Sequence, residues 1–82
     1  MAGTITASDM RKVLKTLDIV IKEKGPGEPI FPNDVAHVLG MKVNHVRSTI
    51  IKLVRVGCVE KIALKNKRST YKVVDELYGE DS

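Results

Sequence analysis

The hydrophobic period of this chain changes once, at Gly57, and that change limits the folds open to it. Up to that point apolar residues recur every three and four positions, the spacing of helices with one buried face; beyond it, β-branched and alternating runs take over, as in strands. Thr6-Ala7-Ser8-Asp9 has the form of a capping box, so a first helix is expected from Thr6 to Lys24. Met10, Val13, Leu14, Leu17, Val20 and Ile21 form its stripe, Ile19 lies off it, and Gly25-Pro26-Gly27 stops it. Glu28 to Phe31 reads as a short extended piece. Pro32 suits the first position of a second helix over Asn33 to Leu39, with Val35, Ala36, Val38 and Leu39 inward and Gly40 as a left-handed cap. A third helix begins about three residues later, with Val43, Val46, Ile50, Leu53 and Val54 facing in, and ends at Gly57.

Beyond Gly57, Cys58 to Leu64 and Ser69 to Val74 flank Lys65-Asn66-Lys67-Arg68 as two strands of a hairpin with a four-residue basic tip. Pairing Leu64 with Ser69 sets Ile62 opposite Tyr71 on an apolar face and Lys61 opposite Lys72 on a polar one. The same register leaves Glu60 on the apolar face. The fold class is therefore α+β, in a single domain over residues 1–82 with loose ends expected at 1–5 and 79–82.

With only 82 residues, the chain buries roughly 60–65% of its unfolded surface, which leaves little room for an enclosed catalytic cleft. One cysteine, Cys58, makes neither an intrachain disulfide nor a thiolate zinc site, and reads as a small buried hydrophobe. His37 and His45 lack further ligands at metal spacing, no serine has a His and a carboxylate at usable positions, and Gly25-Pro26-Gly27-Glu28 sets an acid where a phosphate loop needs lysine. No enzyme, cofactor, metal or small-molecule substrate is expected. No run approaches the ~18 apolar residues of a membrane span, and the first residues lack the pattern of a signal peptide, so the expected location is cytoplasmic.

Charge is distributed unevenly. Residues 1–41 are neutral, residues 42–72 carry nine bases against Glu60 alone for a net +8, and residues 73–82 carry −4, together giving the formal +4. A cationic block of that density points to a polyanionic partner.

A short helix joined by a tight turn to a second helix has helix-turn-helix geometry. Pro32-Asn33-Asp34-Val35-Ala36-His37-Val38-Leu39-Gly40, then Val43-Asn44-His45-Val46, then Leu53-Val54-Arg55-Val56-Gly57-Cys58-Val59-Glu60-Lys61 resembles the winged-helix DNA-binding domain. The features shared are an Ala in the first of these helices, a Gly ending it, an apolar-spaced recognition helix, then Gly, two apolar residues and an acid-base pair opening the wing. Cys58 departs from the family's usual Leu. In size and acidic end the chain is most similar to small stand-alone archaeal winged-helix proteins, regulators or chromatin-associated factors that often dimerise through terminal segments.

The resemblance implies a three-helix core followed by a two-stranded wing, binding double-stranded DNA through recognition helix 43–56 and wing 59–74, as a homodimer in transcription regulation or on the nucleoid. Helical geometry puts Asn44, His45, Arg47 and Ser48 nearest the base edges, Lys52 and Arg55 farther along toward phosphates, and Lys42 with them at the head of the helix. Lys65, Lys67 and Arg68 at the wing tip are expected at backbone or minor groove. Dimer contacts are expected at Ile19 and its neighbours or at Val73 to Tyr78. The alternative is a winged helix serving as a protein–protein module in a transcription or translation assembly. Three aromatics, Phe31, Tyr71 and Tyr78, make a poor stacking platform for single-stranded RNA.

Overall fold

A computed structural model describes residues 5–74: three helices followed by a two-stranded antiparallel hairpin, an α+β arrangement. The expected loose ends at 1–4 and 79–82, and residues 75–78 of the dimer segment expected over Val73 to Tyr78, fall outside the described residues. Ile5, in contrast, is half-buried against the core.

Helix α1 (Ala7–Lys24) starts where its cap dictates, with the Asp9 amide donating to Thr6 Oγ1 at 3.1 Å. Asp9 in the first turn and Lys22 and Lys24 in the last complement the helix dipole. Met10, Val13, Leu14, Leu17 and Val20 are buried, and α1 packs against α2 (Pro32–Leu39), α3 (Val43–Arg55) and the hairpin's second strand. Gly25 ends it at φ +95°, a conformation that costs a residue with a Cβ.

The segment before α2 is extended, and the Ile30 amide donates to the Ser69 carbonyl at 2.9 Å, so this segment flanks the hairpin as well as leading into the helix. Asp34 accepts the Phe31 amide at 3.2 Å and also takes Lys24 Nζ at 3.2 Å, tying the end of α1 to the start of α2. Gly40 closes α2 in the left-handed region. One expectation fails on this helix: Val38 is 63% exposed. A helix of two turns lays only a narrow stripe on the core, and Val35, Ala36 and Leu39 fill it, leaving Val38 about a third of a turn outside.

In α3, Val46, Ile50 and Leu53 are fully buried and Val43 and Val54 half-buried. Thr49 is buried with them, its hydroxyl donating to the His45 carbonyl at 2.7 Å, which satisfies the polar atom inside the core. The helix ends in a Schellman motif around Gly57, with Cys58 N–H on the Leu53 carbonyl at 3.0 Å and Gly57 N–H on that of Val54 at 3.1 Å. Cys58, 3% exposed, packs into the core as a small hydrophobe.

Strands β1 (Val59–Ala63) and β2 (Ser69–Val73) pair one residue away from the expected register. Ala63, not Leu64, faces Ser69; Lys61 faces Tyr71, Ile62 faces Thr70, and Glu60 faces Lys72. The cause is the tip. Asn66 and Lys67 both adopt left-handed backbone (φ 63° and 60°), so the chain reverses in three residues and the Leu64 amide reaches the Arg68 carbonyl at 2.7 Å. A one-residue slip exchanges the faces of a strand. Ile62 is consequently 39% exposed rather than inward, and Glu60 stands exposed across from a lysine instead of on an apolar face.

Candidate nucleic-acid interface

Taking about 100° per residue, the buried stripe of α3 leaves Asn44, Ser48, Ile51 and Arg55 along the centre of its outer face, with Arg47 and Lys52 on either flank. All six are exposed. Arg47 Nη1 donates to Asn44 Oδ1 at 3.1 Å, so the two side chains stand as a unit in the first turns, with the Asn44 amide hydrogens still free to donate. Lys42 is the N-cap residue; its side chain makes no capping bond, and its exposed ammonium stands beside the first turn of α3.

The flank of α3 that carries Arg47 meets the hairpin and the Ile30–Pro32 segment in a groove of about 250 Å³. Ile50, Ile51 and Tyr71 contribute apolar walls, and Arg47, Lys61, Lys67 and Arg68 contribute four cations from three different elements. The hairpin register brings in Lys61 by placing it across from Tyr71. Burial pushes the Tyr71 phenol above its ordinary pKa, keeping that wall neutral at physiological pH.

The expected binding residues thus separate into groups. Arg47, Lys67 and Arg68 converge on the groove; Asn44, Ser48, Lys52 and Arg55 share the outer helix face; Lys65 stays exposed at the tip, apart from the groove lining. His45 is set apart from all of them. It lies half-buried on the seam between α1 and α3, with Nε2 3.1 Å from Asp9 Oδ2. That hydrogen bond, helped by those from Thr6 and working against partial burial, holds the Asp9 carboxyl below its ordinary pKa. Reasoning from sequence did not place Ile51 or Lys61 at the interface, and read Asp9 only as a helix cap and not as the partner of His45. An isoleucine immediately after the stripe residue Ile50 was a visible signal for the first; the others depend on register and on a contact spanning 36 residues.

Six acids lie within residues 5–74, and ion pairs join Asp18 to Lys22, Asp34 to Lys24 and Asp9 to His45, each of them involving α1. Apart from His45, no basic side chain from Lys42 to Lys72 pairs with a carboxylate among the described residues. Among those residues no three His, Cys, Asp or Glu side chains cluster as a metal site, and no helix is long and apolar enough to cross a membrane. Comparison with protein-family models, with curated proteins and with solved structures gave no significant match.

Proposed function

We propose that this is a winged-helix domain that binds double-stranded DNA, with α3 as the recognition helix and the hairpin as the wing, acting as a transcriptional regulator or chromatin-associated protein. The observation that carries this reading is the convergence of unpaired cations from α3, β1 and the tip on one surface while the acids of the described residues are spent mainly around α1. Unpaired cations gain most from phosphates because counterion release from the duplex is not offset by the loss of an internal ion pair. Asn44 and Arg47 are suited to adenine and guanine edges, Ser48 to either, and Ile51 to a thymine methyl. Lys42, Lys52, Arg55, Lys65, Lys67 and Arg68 take positioning roles on the backbone. A homodimer, for which exposed Ile19 offers an apolar contact, would set two recognition helices about 34 Å apart on a pseudo-palindromic site.

Selection from a random duplex pool tests the reading, followed by a salt titration of the winning sequence. If about five cations meet phosphates, log K falls with log salt at a slope of about −4.5. An inverted repeat indicates a dimeric regulator, and tight salt-sensitive binding without a motif indicates an architectural protein. Absence of binding at ~50 mM salt, or insensitivity between ~50 and ~200 mM, eliminates DNA as the partner. A protein–protein role draws support from Ile51, 52% exposed in the middle of the α3 outer face. The surrounding Asn44, Arg47, Ser48, Lys52 and Arg55 weigh against it, since interface centres are depleted of lysine and of unpaired charge.

A further inference from the structure

The groove between α3 and the hairpin has a chemistry that a phosphate backbone uses only in part. Its rim is cationic, yet the adjoining end toward Val54, about 220 Å³ bounded by Ile50, Ile51, Val54 and Tyr71 with Lys61 beside them, is mainly apolar. Such a site suits an anionic ligand with an apolar centre. Residues 75–82 of this chain, Asp75-Glu76-Leu77-Tyr78-Gly79-Glu80-Asp81-Ser82, have that composition: two large apolar residues between two pairs of acids.

Reach agrees with composition. The Val74 amide donates to the Cys58 carbonyl at 2.9 Å, which fixes the start of residues 75–82 at the base of the hairpin, where α3 ends. Tyr71 lies three residues before Val74 and Leu77 three after, each about 10 Å of extended chain, so a reversal at Val74 brings Leu77 and Tyr78 level with Tyr71. The remaining four residues extend about 13 Å farther, toward the cations of the rim. A segment tethered this closely has an effective concentration in the millimolar range, enough to hold a weak contact.

We propose that residues 75–82 occupy this groove, with Leu77 and Tyr78 on the apolar end and the Glu80 and Asp81 carboxylates toward Arg47, Lys61, Lys67 and Arg68, and that duplex DNA must displace them. Occupation of the groove stands independently of the DNA reading; the competition rests on it. If nine-tenths of molecules hold the segment in place, apparent duplex affinity is about tenfold weaker than that of the open form.

The test uses the full chain and two variants. Leu77→Ala with Tyr78→Ala keeps the net charge, and Asp75→Asn, Glu76→Gln, Glu80→Gln and Asp81→Asn together remove the acids. Both should shift the NMR signals of Ile51, Val54, Lys61 and Tyr71 and leave those of α1 unchanged, and both should tighten duplex binding about tenfold at low salt. A tightening seen only in the charge-neutralised variant is a net-charge effect and overturns the competition. Unshifted groove signals in both variants overturn occupation altogether. If the shifts of the unmodified chain vary with dilution from about 1 mM to about 10 μM, a second copy fills the groove and the intrachain assignment falls. Shifted signals with no duplex binding by any form would leave the groove occupied and refute the DNA reading instead.

Discussion

Arg47 and Lys67 both line the groove but are held differently. Arg47 is braced by Asn44 on a rigid helix, whereas Lys67 sits on a three-residue tip. A braced guanidinium in the first turns of α3 can discriminate bases, which is worth roughly 1–3 kcal/mol per good bidentate contact, while a tip ammonium acts as a point charge. Arg47→Ala is therefore expected to flatten sequence preference, and Lys67→Ala to weaken all duplexes equally and reduce the salt slope by about 1. Side-by-side binding to a selected and a scrambled duplex decides this; the opposite pattern would exchange the two roles. Asp9 supports a different prediction. Its carboxyl is held below the usual value of 3.8 first by the His45 hydrogen bond, so its stabilising contribution is complete above that value and is lost as pH falls through the lower folded one. Acid unfolding followed by circular dichroism should accordingly be less steep in Asp9→Asn below about pH 4. An unchanged acid limb would show that the Asp9–His45 contact does not bear on stability.

At the scale of elements, the tip of the hairpin combines strain with charge. Lys67 has φ 60° without being glycine, which costs roughly 1 kcal/mol. Lys67→Gly should then raise stability by about 0.5–1 kcal/mol in urea while lowering duplex affinity, two effects of opposite sign that a merely loosened hairpin would not produce. The same tip explains what could be read in advance and what could not. The helices were legible because each carries its own signals: the Thr6 cap, Pro32 at a first turn, glycines at 25, 40 and 57, and stripes such as Val46, Ile50 and Leu53. Strand register was not, since it depends on whether Lys65 to Lys67 or Lys65 to Arg68 turns the chain, a local conformational choice worth about 1 kcal/mol with no trace in the hydrophobic pattern. That choice moved Lys61 into the groove and Ile62 out of the core. The position of His45 was hidden for another reason, because its partner Asp9 lies in a helix whose orientation arises only from packing.

Across the whole molecule, helices and hairpin are joined unequally. The three helices share one buried cluster, whereas the hairpin contributes chiefly Val59 and the strand-end contacts to it, with the Ile30–Ser69 and Val74–Cys58 bonds at its borders. Few buried apolar contacts and many exposed backbone bonds are the signature of a unit that opens below the global unfolding free energy. Native-state hydrogen exchange should show the ladder amides of Glu60, Ile62 and Thr70 exchanging through such an opening while those of Leu17, Ile50 and Leu53 wait for global unfolding. Uniform protection would make the molecule a single cooperative unit. The Ile30 amide gives this behaviour an unexpected anchor. Because a backbone bond ties the α1–α2 connection to the hairpin at residue 69, lengthening or shortening residues 25–29 would swing the basic tip about that point, like adjusting the stay of a mast. The spacing between tip and helix that a duplex would meet is thus encoded partly in a stretch that belongs to neither element.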